Sequence, residues 1–263
     1  MVGTLRLVSS RINHSANGFE VWGVRDSQSI IGGSPANGNV FEDSELGGVF
    51  LDVDHSLIEY SHNNVTLAPD LPYNGLSILQ GVLWMPQKPA QFFIQHNTIR
   101  VKGGFENGIL ILDRGPLFGV GKTGNFLIAD NAIQLGGSES NPAYAGIESI
   151  FAVDAVISNN KISGEGALMG ISAEASLHCT LKANNVQQLR PILFPVALLG
   201  VNSGFAWNTS DCTVVGGNNK TNIYDEGTSN TLVGVNNMQG NPPGPAFREA
   251  RQQKRDLRKM LHR

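Results

Sequence analysis

The chain has 263 residues, of which 41% are hydrophobic and 16% charged, and its formal net charge is −3. No apolar run approaches the ~18 residues needed to cross a membrane, and two cysteines are too few for a disulfide-rich scaffold or a cysteine-rich zinc site. The first residues, Met1 to Arg11, contain no apolar stretch of signal-peptide type. The sequence therefore leaves two alternatives for the compartment: the cytoplasm, or export directed by a leader that is absent from this chain.

Residues 1–47 show no clear repeat, and a regular pattern begins at residue 48. The two ends of a repeat array must be capped, because they would otherwise expose strand edges and apolar core. We therefore predict that residues 1–47 form a first irregular coil and the N-terminal cap.

The next segment carries seven copies of one pattern: an apolar residue, two spacers, an Asn, one spacer and usually a second apolar residue. The seven Asn residues are Asn63, Asn97, Asn131, Asn160, Asn184, Asn218 and Asn236. Recurrence at steps of this size is typical of a solenoid, in which each repeat forms one coil.

Hydrophobic residues alternate on both sides of each Asn, as in Phe92/Ile94 before Asn97 and Ile99 after it. Period-2 alternation predicts two short strands that meet at a bend. We expect the Asn itself to occupy the bend, because Asn tolerates the left-handed backbone region. We also expect its amide to bond to the equivalent Asn of the next coil and so to form a ladder.

A third alternating segment precedes each pair of strands and usually starts at a Gly. The seven copies are Gly48–Asp52, Gly75–Leu79, Gly108–Leu112, Gly146–Ile150, Gly170–Glu174, Gly204–Asn208 and Asn222–Glu226. Three strands per coil, with turns rather than helices between them, predict an all-β parallel β-helix of about seven coils over residues 48–239.

At this point the chain resembles the right-handed parallel β-helix repeat proteins of the pectin-lyase-like group. The segment Gly146-Ile-Glu-Ser-Ile150, followed by Ile157-Ser-Asn-Asn-Lys-Ile162, is similar to the repeat of that group. The resemblance implies the fold, an extracellular or cell-surface location and a carbohydrate-directed role, either binding or cleaving polysaccharide. We expect no cofactor.

Two candidate catalytic sets lie near the third strands. Glu148 and Glu174 fall on adjacent coils and one face, at a spacing that would suit the two carboxyls of a glycoside hydrolase. Asp113 and Arg114 share a loop with Lys122, and this set would suit a lyase. The alternative for the glutamates is a pair of solvated residues on a surface sheet.

Other outward positions of the third strands are polar and are predicted to bind substrate, together with the loop residue Lys122. These positions are Asp52, Asn208, Tyr224 and Glu226. The central outward positions are instead apolar: Leu79, Leu110, Leu112 and Ile150. They favour an alternative function, a non-catalytic structural or assembly protein that uses this face for self-association or for a protein partner. The apolar run 192–199 is a further candidate lid or interface.

His62, His96 and Asp130 stack in one column just before the bend Asn. Such a column could hold a transition metal, but polar turn residues are the favoured interpretation and we predict no metal. Cys179 and Cys212 are 33 residues apart, close to one coil. Two buried free thiols are the favoured interpretation, and a disulfide between neighbouring coils is the alternative.

Residues 240–263 form the last predicted segment. Gly240 to Pro245 is a Pro-rich linker, and the last 17 residues carry seven Lys or Arg and two acids. We predict a short basic helix that docks on the acidic body of the molecule or on a partner protein. The helix lacks an aromatic platform, so we expect no specific recognition of nucleic acid.

Overall fold

The computed structural model describes residues 3–69, 74–104, 106–138, 140–186, 188–203, 205, 207–216 and 221–238. These residues form β-strands and three short 3-10 helices, Pro35–Asn37, Pro116–Phe118 and Val201–Ser203. None of the helices among them is long and apolar enough to span a membrane. The predicted linker and basic tail, 240–263, and the bend residue Asn218 lie outside the described residues.

The strands follow one another in short segments along the whole described chain. They are β1 (Thr4–Leu7), β2 (Arg11–Asn13), β3 (Glu20–Trp22), β4 (Gln28–Gly32), β5 (Val40–Ser44), β6 (Val49–Leu51), β7 (Leu57–Ser61), β8 (Asn64–Leu67), β9 (Leu76–Gln80), β10 (Ala90–Gln95), β11 (Thr98–Val101), β12 (Asn107–Asp113), β13 (Gly124–Ala129), β14 (Ala132–Leu135), β15 (Ala143–Ile150), β16 (Val156–Ser158), β17 (Lys161–Glu174), β18 (Thr180–Lys182), β19 (Leu189–Leu199), β20 (Thr213–Val215), β21 (Thr221–Asp225), β22 (Thr231–Val233) and β23 (Val235–Asn237).

All strand pairs are parallel, and they form one sheet of nine strands and one of fourteen. Column 1 is the nine-stranded sheet and contains the strands before each bend: β1, β4, β7, β10, β13, β16, β18, β20 and β22. The fourteen-stranded sheet contains column 2 (β2, β5, β8, β11, β14) and column 3 (β3, β6, β9, β12, β15, β21, β23), and the long strands β17 and β19 run through both. The fold is therefore all-β with long parallel sheets, and it is compatible with a solenoid.

The N-terminal segment is more regular than the sequence pattern indicated. Instead of an irregular coil, residues 4–44 supply five strands, and β4 pairs with β7 in register from Gln28↔Leu57 to Gly32↔Ser61. Column 1 consequently contains nine strands in the described residues, against about seven predicted coils.

One continuous apolar core fills the space between the columns. Inward side chains of successive strands pack on one another, as in Phe92 on Phe126, whose ring centroids are 5.2 Å apart. Ile94, Ile128 and Ile157 follow in register along column 1 and are fully buried. Parallel in-register pairing thus places like residues over like residues, which is why the repeat is visible in the sequence.

The predicted Asn ladder is present from Asn63 to Asn184 and begins one rung earlier, at Asn39. Each side-chain amide donates to the Oδ1 of the next Asn at 2.9 to 3.0 Å. However, the left-handed residue is the one before the Asn: His62 has φ of 58° and His96 has φ of 57°. The prediction that the Asn itself adopts this conformation was wrong. The Asn side chain points along the stack, where its amide reaches the next rung.

Two predicted third strands were misaligned. In residues 48–52 the register is shifted by one: Phe50 pairs with Ile78 and is buried in the core, and Leu51 pairs with Leu79 on the outer face. A one-residue shift exchanges the two faces of a strand, so Asp52 lies at the corner that follows β6.

The second misalignment concerns Gly204–Asn208, predicted as a strand of column 3. This place is taken by β19, in which Val196 pairs with Ile171 and Leu199 with Glu174. The apolar run 192–199 is therefore part of the sheet rather than a lid or an interface.

The two cysteines form a disulfide, with Cα atoms 4.4 Å apart, and the prediction of free thiols was wrong. Thr180 pairs with Thr213 in adjacent strands β18 and β20, so the preceding cysteines face one another. The 33-residue separation is one repeat, which is the geometric reason for the pairing.

Candidate functional site

The predicted carboxyl pair is brought to one place but lies buried. Glu148 and Glu174 are on adjacent strands, offset by two positions as predicted, and are 1% and 2% exposed. The Glu148 carboxylate accepts a hydrogen bond from Asn107 Nδ2 at 2.8 Å. Tyr144 Oη and Ser172 Oγ donate to Glu174 Oε1 at 3.0 and 2.8 Å. These contacts stabilise the two carboxylates inside the protein, and their catalytic role stays a prediction.

Of the predicted lyase pair, Asp113 and Arg114, the first holds together the two ends of the loop that follows β12. Asp113 is fully buried and accepts hydrogen bonds from the backbone N–H groups of Gly115 and Thr123 and from Thr123 Oγ1, at 2.7 to 3.0 Å. Burial raises the pKa of Asp113, against the opposite effect of these hydrogen bonds. The guanidinium of Arg114 lies over the ring of Phe118, 5.1 Å from its centroid. Asp113 therefore faces inward, whereas Arg114 is half-buried at the surface.

Other predicted binding residues also anchor corner loops. The Asp52 carboxylate is fully buried and accepts hydrogen bonds from three successive backbone N–H groups, 82–84, at 2.6 to 3.0 Å. Asn208 Oδ1 accepts a hydrogen bond from the backbone N–H of Val201 at 2.8 Å. Each side chain satisfies loop amides that would otherwise lack an acceptor.

Glu226 has the same role at the C-terminal end. It accepts hydrogen bonds from the N–H of Gly200 and from the N–H and Oγ of Ser203, at 2.7 to 3.1 Å. Tyr224 Oη donates to it at 2.9 Å, and the Tyr224 ring stacks on Phe194 with centroids 4.6 Å apart. Burial and the neighbouring carboxylate raise the pKa of Tyr224.

The last predicted residue, Lys122, forms an exposed ion pair with Asp154 at 2.6 Å. The nine predicted site residues fall into groups. Glu148 lies beside Glu174, Asn208 and Glu226 bind the same loop at 200–203 with Tyr224 beside Glu226, and Asp113, Arg114 and Lys122 belong to the loop after β12. Asp52 anchors the loop at 82–84. Their roles in catalysis or substrate binding stay predictions.

The predicted apolar face exists and is longer than expected. Five outward side chains lie in register on adjacent strands of column 3: Trp22, Leu51, Leu79, Leu112 and Ile150. Leu110 and Ile150 are 4% and 5% exposed within the single chain, whereas Leu79 and Leu112 are half-buried. Only part of this face is therefore open to a partner.

Sequence reasoning missed a polar cavity at the corner between columns 3 and 1. We call it the corner cavity; its volume is about 170 Å³, and it is lined by Arg25, Asp26, Asp54, His55, Gln87 and Lys88. A second depression of about 360 Å³ shares Asp26 and His55 and continues along Ser27, Ser56, Leu57, Pro89 and Gln91. The two depressions together form an open groove that crosses three repeats.

The polar groups of the corner cavity are held in fixed pairs. Asp26 Oδ1 and His55 Nδ1 are 2.6 Å apart, and both side chains are more than half exposed. The buried Asp54 carboxylate accepts hydrogen bonds from Arg25 Nε at 2.8 Å and from the backbone N–H of Lys88 at 2.8 Å. These bonds join neighbouring repeats and fix the cationic side of the cavity.

Electrostatics keep Asp26 ionised. The hydrogen bond from His55 lowers the pKa of Asp26, and Lys88 and Arg25 act in the same direction. Because the carboxylate holds Nδ1 of His55, the other ring nitrogen is the one left for a ligand hydroxyl or for proton exchange. The guanidinium of Arg25, which lines the cavity, also lies 5.6 Å from the ring centroid of Trp84, so an aromatic ring lies beside this cation.

A sequence signal for this cavity was present. Asp26, His55, Asp154, His178 and Asp211 precede five of the column 1 strands, β4, β7, β16, β18 and β20, and all have positive φ. Alignment on the Asn bend alone did not include this second bend. His62 and His96 do stack as predicted, with centroids 4.9 Å apart. The described residues contain no group of three or more side chains suited to a metal ion.

No protein-family model matches the chain, and neither a curated protein nor a solved structure matches it.

Proposed function

We propose that the protein is a right-handed parallel β-helix that binds polysaccharide at the corner cavity. The handedness is supported by a general rule: connections between parallel strands of one sheet are right-handed in about 98% of cases. The column order, the parallel register and the Asn ladder support the β-helix itself.

The observation that carries the binding proposal is the corner cavity. It combines two cations, Arg25 and Lys88, with the Asp26–His55 pair and the neighbouring ring of Trp84. Hydroxyl-rich ligands need both donors and acceptors in fixed positions, together with an apolar plane. The groove is lined by residues of three repeats, which suits a chain-like ligand better than a small enclosed one.

Binding has more support than cleavage. A glycosidase needs two carboxyls that reach the scissile bond, but Glu148 and Glu174 are buried and hydrogen-bonded within the protein. The disulfide supports a location outside the reducing cytoplasm, where most polysaccharides are found.

The test is calorimetric titration with a panel of neutral and acidic polysaccharides, followed by variants of the corner cavity. We expect Trp84→Ala and Lys88→Ala each to weaken binding about tenfold, equivalent to ~1.4 kcal/mol. Lys102→Ala is the matched control, because Lys102 is an exposed cation paired with Asp43 at 3.1 Å, away from the cavity. Absence of binding, or equal affinity in all variants, would contradict the proposal.

The runner-up function is assembly through the apolar face of column 3. The half-buried Leu79 and Leu112 support it, and the burial of Leu110 and Ile150 within one chain weakens it. Light scattering at several concentrations separates the two functions, since only assembly predicts a stable oligomer without polysaccharide.

A further inference from the structure

Two neighbouring loops expose apolar side chains at their tips. The loops span residues 81–89 and 114–123 and leave adjacent strands β9 and β12, at the register pair Gln80↔Asp113. Their most exposed apolar side chains are Leu83 (67%), Leu117 (38%), Phe118 (56%) and Val120 (51%), which we call the apolar tips. Large apolar side chains in this number on one corner indicate a binding surface.

Both loops are held rigid from below. Asp52 binds the backbone N–H groups of residues 82–84, and Asp113 binds those of Gly115 and Thr123. The second loop is tightened further by the 3-10 helix Pro116–Phe118 and by the bond from Val120 N–H to Gly115 O at 3.1 Å. The tips are thus presented in a fixed arrangement, which reduces the entropic cost of docking.

All charged residues of the two loops are cations. Residues 81–89 and 114–123 contain Lys88, Arg114 and Lys122 and no Asp or Glu. Arg114 lies over the ring of Phe118, and Lys122 reaches Asp154 of the next repeat. A protruding apolar group beside cations fits an interface whose inner layer is apolar and whose outer layer is anionic.

We propose that the apolar tips insert into the surface of an anionic lipid membrane, with Arg114 and Lys122 at the level of the head groups. Two protruding loops fit a deformable bilayer better than a preformed protein surface, which would have to offer a matching groove. The apolar contacts of this proposal are separate from polysaccharide binding, because neither Leu83 nor Phe118 lines the corner cavity; Lys88 alone among the loop cations belongs to that cavity.

The experiment is co-sedimentation of the whole chain with vesicles of phosphatidylcholine alone and of phosphatidylcholine with phosphatidylserine. We expect binding to the anionic vesicles, and a loss of roughly tenfold for each of Leu83→Ser and Phe118→Ser, since each removes a large buried apolar side chain from the bound state. Val201→Ser is the matched control, because Val201 is an equally exposed valine (54%) at another corner.

Arg114→Gln and Lys122→Gln should reduce the preference for anionic lipid and its sensitivity to salt. All four side chains lie at the surface, so circular dichroism should show unchanged folding. Three results would overturn the proposal: no vesicle binding, equal binding by the double variant Leu83→Ser/Phe118→Ser and the control Val201→Ser, or a dimer in solution that this double variant dissociates. The last result would assign the tips to self-association.

Discussion

The bend positions explain most of the polar columns in this sequence. Every described His has positive φ, including His55, His62 and His96, and Asp residues occupy equivalent places. Asn, Asp and His tolerate the left-handed region better than other residues with side chains. Stacked polar columns therefore have a backbone cause before any chemical one, and this is why the His62, His96 and Asp130 column resembled a metal site in the sequence.

The Asn ladder should contribute most at its centre. Asn131 Oδ1 accepts hydrogen bonds from the backbone N–H and the Nδ2 of Asn97, and its own Nδ2 donates to Asn160 Oδ1 and to Ile94 O. In Asn131→Ala these buried groups lose their partners, so we expect the free energy of unfolding to fall by about 3 kcal/mol. Urea unfolding measures this loss.

Two variants serve as controls for the ladder. Asn184→Ala removes a half-buried rung that water reaches, so its cost should be smaller. Asn64→Ala removes an exposed amide that contacts Arg100 at the surface, and its cost should be within about 0.5 kcal/mol of zero. Equal losses in all three variants would contradict a ladder whose strength depends on burial.

The stacked histidines should make stability depend on pH. Burial, followed by the charge of His96, lowers the pKa of His62, and Glu59 opposes this shift. A histidine whose pKa is lowered by folding binds protons more readily in the unfolded chain. Its contribution to stability is therefore complete above the unfolded pKa, about 6.5, and is lost as the pH falls below it.

We expect His62→Asn, which tolerates the same backbone conformation, to flatten the decrease in melting temperature between about pH 7.5 and 5. His178→Asn is the control, since it replaces an exposed histidine that also has positive φ. If the melting temperature decreases with pH equally steeply in wild type and in His62→Asn, His62 does not cause the pH dependence.

At the scale of elements, the strands of the regular repeat were predicted correctly, whereas the shifted strand β6 and the strand β19 were not. The strands around each Asn follow directly from period-2 alternation, because each inward residue packs on its equivalent in the next repeat. Phe50 and Asp52 were misplaced because Gly48 was aligned with Gly75, whereas the register pairs Val49 with Ser77 and so puts Gly47 in that place. A shift of one residue reverses the face. Residues 192–199 were misread because both faces of β19 are largely buried, so alternation is lost.

The candidate site was less predictable than the fold. The corner cavity forms where Arg25 and Asp26 of one repeat meet Asp54 and His55 of the next, with Lys88 contributed by a third. These positions are 29 or more residues apart, and no local pattern marks their contact. By contrast, Asp113 was predicted to be catalytic and Asp52 and Glu226 to bind substrate, and the structure shows all three accepting hydrogen bonds from loop N–H groups, contacts that a sequence pattern does not reveal.

For the whole molecule, each repeat contacts only its neighbours, so stability depends on local interfaces and can differ along the axis. Near the C-terminal end the column 1 strands are short: β16, β18, β20 and β22 have three residues each, and Val233 in the last of them is 50% exposed. The disulfide joins the repeats of β18 and β20 in this region, where Cys212 is fully buried. It therefore ties together two repeats that share only a short column 1 pairing.

We expect the double variant Cys179→Ser/Cys212→Ser to lose about 3–4 kcal/mol, the chain-entropy value for a loop of this length. The loss should concentrate in the C-terminal repeats, so amide exchange should increase in β20 and β22 while β10 and β13 stay protected. Reduction of the wild type should give the same exchange pattern. Reactive thiols in the unreduced protein, or uniform exchange along the array, would contradict a disulfide that holds the C-terminal repeats in place.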